Sequence, residues 1–99
     1  MKESTLSDYV RVYVPRAREN RIEPLARDMA RVSQGGATLA AAIGVWQGQA
    51  EQVVTVTSYT SDLARLLEQV TAHIARLLED GEQAVAIETR EGMRIYEQP

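Results

Sequence analysis

Two hydrophobic periods alternate along this 99-residue chain, and their order leaves few ways to fold it. Val10, Val12 and Val14 alternate with Tyr9, Arg11 and Tyr13, which is the period of a strand. Pro15 cannot donate to a ladder and ends it. Leu25, Met29 and Val32 then fall at i, i+4 and i+7, with Ala26 and Ala30 beside them. They predict a helix that Pro24 opens and Gly35-Gly36 stops. From Thr38 the period returns to two. Leu39, Ala41, Ile43 and Val45 take one side, and Thr38, Ala40, Ala42, Gly44 and Trp46 the other. Gln47-Gly48-Gln49 reads as a turn and Glu51 to Tyr59 as a third strand, so the two form a hairpin. Leu63, Leu66, Leu67, Val70, Ile74, Leu77 and Leu78 make the clearest helical stripe, capped by Ser61 or Asp62 and ended by Gly81. Ala84 to Thr89 is a fourth strand. Glu91-Gly92 is a turn, and Met93 to Tyr96 a short fifth strand.

The order β-α-β-β-α-β is that of a ferredoxin-like α+β sandwich, with an antiparallel sheet and two helices on one face. Residues 1–99 are read as a single domain. The fold hosts many functions and names none of them. Composition excludes more than it selects. There is no cysteine, so no disulfide framework, thiolate metal site or cysteine nucleophile is available. No apolar run is long enough to span a membrane, and residues 1–10 lack a signal-peptide core. The expectation is a cytoplasmic protein with no membrane association. The net charge of −3 argues against nucleic acid as partner.

Strand parity assigns the faces. Val10, Val12, Val14, Leu39, Ala41, Ile43, Val45, Val54, Val56, Val85 and Ile87 are expected beneath the helices. The uncovered face receives Tyr9, Arg11, Tyr13, Trp46 and Tyr59, with Ala84, Ala86, Glu88 and Arg90 from the fourth strand and Tyr96 if the fifth keeps the same parity. The chain has no Phe, so every ring is an amphipathic type suited to a surface that a partner covers. Tyr9, Arg11, Tyr13, Trp46 and Tyr59 are therefore the candidate partner- or ligand-binding residues. The expected occupant is a second copy of the chain, a dimer being the commonest closed assembly. Another protein is the second option, and a base stacked on the rings the third.

Charge is uneven. Residues 1–34 hold seven cations and five anions, and residues 35–99 four cations and nine anions. Arg16, Arg18 and Arg21 lie in a loop after the first strand and are candidate anion ligands, since a guanidinium offers a planar fork to phosphate or carboxylate. No catalytic residue, metal ligand or cofactor is assigned. His73 is the lone histidine and, without cysteine, gives no zinc spacing. It reads as a boundary residue beside the core. Glu51, Glu88 and Glu91 with Arg11 and Arg90 could supply acid-base groups, but spacing alone does not bring any two within reach.

Gly35-Gly36-Ala37-Thr38, Gly44-Val45-Trp46, Glu51 before a Val/Thr strand, and Gln83 to Glu88 resemble small prokaryotic and viral α+β domains of unknown function. The resemblance covers roughly residues 35–97. It implies the same element order and no activity, and it draws Gly44, Trp46 and Glu51 together as a unit. The expected function is thus a non-enzymatic binding or scaffold domain that homo-oligomerises through its aromatic sheet face. The alternative is a small-ligand or nucleotide binder, of RNA for instance, using that face and the Arg-rich loop.

Overall fold

The computed structural model describes residues 1–99. Strand β1 (Asp8–Pro15) is followed by a 3-10 turn (Arg16–Arg21) and helix α1 (Ile22–Val32). Strands β2 (Thr38–Trp46) and β3 (Gln49–Thr60) form a hairpin. Helix α2 (Leu63–Glu79) leads to β4 (Ala84–Thr89) and β5 (Gly92–Glu97). All pairings are antiparallel, in the order β2-β3-β1-β4-β5. The chain is an α+β fold of the ferredoxin-like type, as the alternating periods predict.

The core lies between the helices and the middle of the sheet. Val10, Val12, Val14, Val56, Val85 and Ile87 meet Leu25 and Met29 of α1 and Leu66, Val70, Ile74 and Leu77 of α2. Burying a side chain such as Leu66 or Leu77 contributes about 1.5–3 kcal/mol. Helix ends are held as the sequence suggests. Asp62 accepts a hydrogen bond from the Arg65 amide at 3.2 Å and caps α2. At the other end Gly81, at φ +107°, lets its own N–H reach Leu78 O while Glu82 N–H reaches Leu77 O. That is the paired termination a left-handed residue makes possible. Gly35 serves a different purpose. Its N–H bonds to Tyr59 O at 3.0 Å, and an added Cβ would stand 2.9 Å from that oxygen.

Three expectations are corrected. Leu39, Ala41, Ile43 and Val45 lie on the predicted side of β2 but not under the helices; all four are exposed, Ile43 at 74% and Val45 at 73%. The cause is position. β2 is the edge strand, and β1 ends at Pro15, opposite Val53. The hairpin from Ile43 to Gln52 therefore runs on as a two-stranded arm with no third strand beside it and no helix above it. It accounts for the 47 × 26 × 23 Å outline. Second, Tyr96 pairs with Val85 and packs against the core, so β5 gives Met93 and Ile95, not Tyr96, to the uncovered face. Third, α1 begins at Ile22, which puts Pro24 at its third position, and the Arg-rich segment is a 3-10 turn rather than an open loop. No helix is long and apolar enough to cross a membrane.

Candidate functional site

Register on the uncovered face builds one polar cluster. Arg11 stands directly opposite Thr57 on one side and Glu88 on the other. Tyr9 and Tyr13, two residues either way along β1, reach Glu88 diagonally, a distance that long side chains cross. Tyr9 donates its hydroxyl to Glu88 Oε2 at 2.9 Å and Tyr13 to Oε1 at 2.8 Å. Arg11 Nη1 donates to the same Oε1 at 3.1 Å, and its Nε to Thr57 Oγ1 at 3.1 Å. The guanidinium also lies 5.3 Å from the centre of the Tyr9 ring, and Tyr59 packs its ring 5.4 Å from that of Tyr9 at 40°.

One carboxylate thus accepts three protein donors. Its pKa is held below the ordinary value by the Tyr13 and Tyr9 hydroxyls first and by Arg11 after them, against the cost of burial. The partners shift upward. Tyr9 rises chiefly because its hydroxyl is bonded to the Glu88 anion, and Tyr13 through burial and then the same bond. For Arg11, burial disfavours the cation, yet Glu88 outweighs it and the pKa is raised. Near neutral pH the cluster is an anion and a cation bridged by two neutral phenols. Glu88 and Arg11 remain about 30% accessible, so lone pairs of the carboxylate still face outward. The cluster can take a ligand that offers N–H or O–H groups.

Four of the five candidate face residues, Tyr9, Arg11, Tyr13 and Tyr59, come together here. Trp46 does not. It sits at the tip of the arm, half exposed and six residues beyond Ala40, which lies level with Tyr13. At 3.3 Å per residue that is about 20 Å away. Glu51 stands opposite Gly44 and Trp46 opposite Gln49 on the same arm, away from the tyrosines. Parity puts Glu88 on this face, but its place as the centre of the cluster depends on the β1–β4 register. Tyr-Val-Arg-Val-Tyr was the available signal: three polar-tipped side chains on one strand face call for a common acceptor.

The arginines after β1 do not form one anion site. Arg18 donates to Glu82 at 2.9 Å, and Arg21 to both oxygens of Asp80 at 2.6 and 2.8 Å. These pairs tie the 3-10 turn to the end of α2. Arg16 alone is free of an ion pair, beside a shallow groove of about 270 Å³ with Ala41, Ile43 and Gln52. A larger groove of about 560 Å³ runs between α1 and β2 over Ile22, Ala26, Ala30, Ala37 and Leu39. Glu19, Glu23 and Arg27 also line it, and Glu23 and Arg27 pair with each other. His73 is buried at 4% exposure, and its Nε2 is 2.6 Å from Asp28 Oδ2 across the two helices. No three histidine, aspartate or glutamate side chains converge as a metal site would need.

No protein-family model matches the chain, and no curated protein does. Among solved structures it is similar to a phage SAM lyase in complex with S-methyl-5'-thioadenosine. That similarity covers 99% of this chain and 95% of the other, with a TM-score of 0.69 and 15% identity. At this identity the likeness establishes the fold. It also overturns the expectation of a non-enzymatic scaffold acting through its aromatic face, because the same fold, over nearly its whole length, is that of an enzyme.

Proposed function

We propose that the chain is an enzyme of the lyase class acting on a sulfonium nucleoside of the S-adenosylmethionine type, and that the Glu88 cluster is part of its site. The whole-length likeness to a SAM lyase carries the class of reaction. The cluster supports the site, as an ionised carboxylate with spare lone pairs and an exposed tyrosine beside it.

The chemistry limits what Glu88 does. When the carbon–sulfur bond of a sulfonium breaks, its electron pair passes to sulfur and the positive charge there disappears; a lyase brings in no second reactant, so the carbon bonds within the substrate instead, its own carboxylate oxygen closing a lactone as the thioether leaves. An anion placed against sulfur would stabilise the starting state more than the transition state and so slow the step. Glu88 shares its charge with Arg11 and two phenols, and its open lone pairs suit donors that persist through the reaction, such as the ribose hydroxyls or the ammonium group. It is a binding and orienting residue, and Tyr9, Tyr13 and Arg11 hold its carboxylate in place. Charge-assisted hydrogen bonds of this kind contribute about 1.5–3 kcal/mol, or roughly 10–100-fold in affinity or rate.

The test is direct. The purified chain is incubated with S-adenosylmethionine and the products are separated by chromatography. Formation of S-methyl-5'-thioadenosine is expected, reduced roughly 10–100-fold in Glu88→Gln. Absence of that product, together with no rise in melting temperature with S-methyl-5'-thioadenosine, overturns the reading.

A further inference from the structure

The β2–β3 arm has no explanation within one copy of the chain. β2 is nine residues long and contains no charged residue and no proline. Its outer edge leaves a row of N–H and C=O groups unpaired. Soluble proteins guard such edges with lysine, proline, bulges or a covering element, since a bare apolar edge pairs with whatever strand it meets. Here none of these is present. The helix-side face of the arm shows Ile43 and Val45, the other face Gly44 and Trp46, and both are open.

We infer that the arm is an interface with a second copy of this chain, which covers the β2 edge and the Ile43/Val45 face. Shape supports this occupant. Ile43–Trp46 at 3.3 Å per residue and two strands at about 4.8 Å give a face of roughly 130 Å² beside the free edge. A second copy that pairs along the edge brings a sheet face and side chains of its own over Ile43 and Val45, whereas an extended peptide seated on the edge alone would leave that face wet. The chain also supplies what a copy needs to pair with. It has two free sheet edges, β2 and β5, and β5 exposes Met93 and Ile95. At the margins of the arm, Arg16 and Glu51 have no ion-pair partner in their own chain, so two copies can offer each other opposite charges where water still reaches. This surface is the aliphatic arm, not the tyrosine face, and the inference does not depend on the proposed reaction.

Trp46 is the only tryptophan, and it reports on the arm. Sedimentation and light scattering of the native chain should give at least twice the 11.0 kDa of one copy. Trp46 emission should move to shorter wavelength as concentration rises. The double variant Ile43→Lys, Val45→Lys should sediment as a single copy, with native helix content by circular dichroism. If that variant fails to fold, hydrogen exchange in the native chain decides: β2 amides should gain protection with concentration while those of α2 do not change. A native chain that remains a single copy at high concentration overturns the inference. So does a folded double variant that assembles undiminished, or β2 exchange that is independent of concentration.

Discussion

Val12 and Val45 are the same residue type, each in an alternating run and each on the helix side of the same sheet. One is wholly buried and the other 73% exposed. The body of the molecule and its arm differ in nothing that the pattern of a single strand records. They differ in what lies beside and above. β1 is a central strand under two helices, whereas the outer half of β2 has one neighbouring strand and no helix. Alternation therefore states which side chains share a face, and element lengths decide whether that face is covered. α1 has eleven residues, about 16 Å at 1.5 Å per residue, and β3 has twelve, about 40 Å at 3.3 Å. A helix layer of that size cannot roof the whole hairpin.

The largest effect belongs to the body. Leu77 is buried where α2 meets the sheet. Leu77→Ala should destabilise the fold by roughly 2–5 kcal/mol, since the packed contact between helix and sheet closes only partly over the cavity left there. Urea unfolding followed by circular dichroism measures it. A loss under about 0.5 kcal/mol, the size of a surface change, would place α2 elsewhere and dissolve the distinction between body and arm.

The same distinction explains how far the sequence could be read. Element order, the Asp62 cap, the Gly81 stop and the stripe of α2 are local signals, and each survives in the structure. Val10, Val12 and Val14 were placed correctly because a central strand leaves no doubt about cover. Ile43 and Val45 escape cover because β1 stops short of the hairpin tip, and Leu39, level with Val12, because β2 is the edge strand; nothing local in the sequence says either. The face of Tyr96, left conditional on parity, is decided by the β4–β5 register, which no local signal carries. The site divides similarly. Tyr9, Arg11 and Tyr13 were visible as alternate residues of one strand. Their convergence on Glu88, 75 or more residues away, is a product of register. The separation of Trp46 from them is a matter of distance along the arm.

A smaller effect is expected in acid, again confined to the body. His73 holds the Asp28 carboxyl below its ordinary pKa, with Arg31 adding to it against the cost of burial. Asp80 is lowered by Arg21, and Glu88 by Tyr13 and Tyr9. A carboxyl whose folded-state pKa lies below its unfolded one adds stability above the unfolded value. That contribution is lost as pH falls through the folded value. All three therefore predict a decline that begins near pH 4, the ordinary carboxylate range, and continues below it. Asp28→Asn should make the decline shallower by up to one proton, because one of the three groups no longer titrates. Urea midpoints between pH 5 and pH 2 give the slope. An unchanged slope would mean that the His73–Asp28 bond does not bridge the helices in solution.

The smallest effect should come from the arm, and it sharpens the contrast most. Ile43 is the largest aliphatic side chain on the arm and is 74% exposed, so truncating it removes little contact within one copy. What remains is strand preference, a scale that spans about 1 kcal/mol from best to worst residue. Ile43→Ala should therefore cost less than about 1 kcal/mol when unfolding is measured at a dilution where the copies are separate. The cost should grow as concentration rises, because folding and association are then linked by mass action. Val12→Ala is the matched control. It lies on the same face, in the covered region, and its larger cost should show little dependence on dilution. A cost at Ile43 comparable to that at Val12 in dilute solution would show that the arm folds back onto the body. Leu39, Ile43 and Val45 would then belong to the core after all.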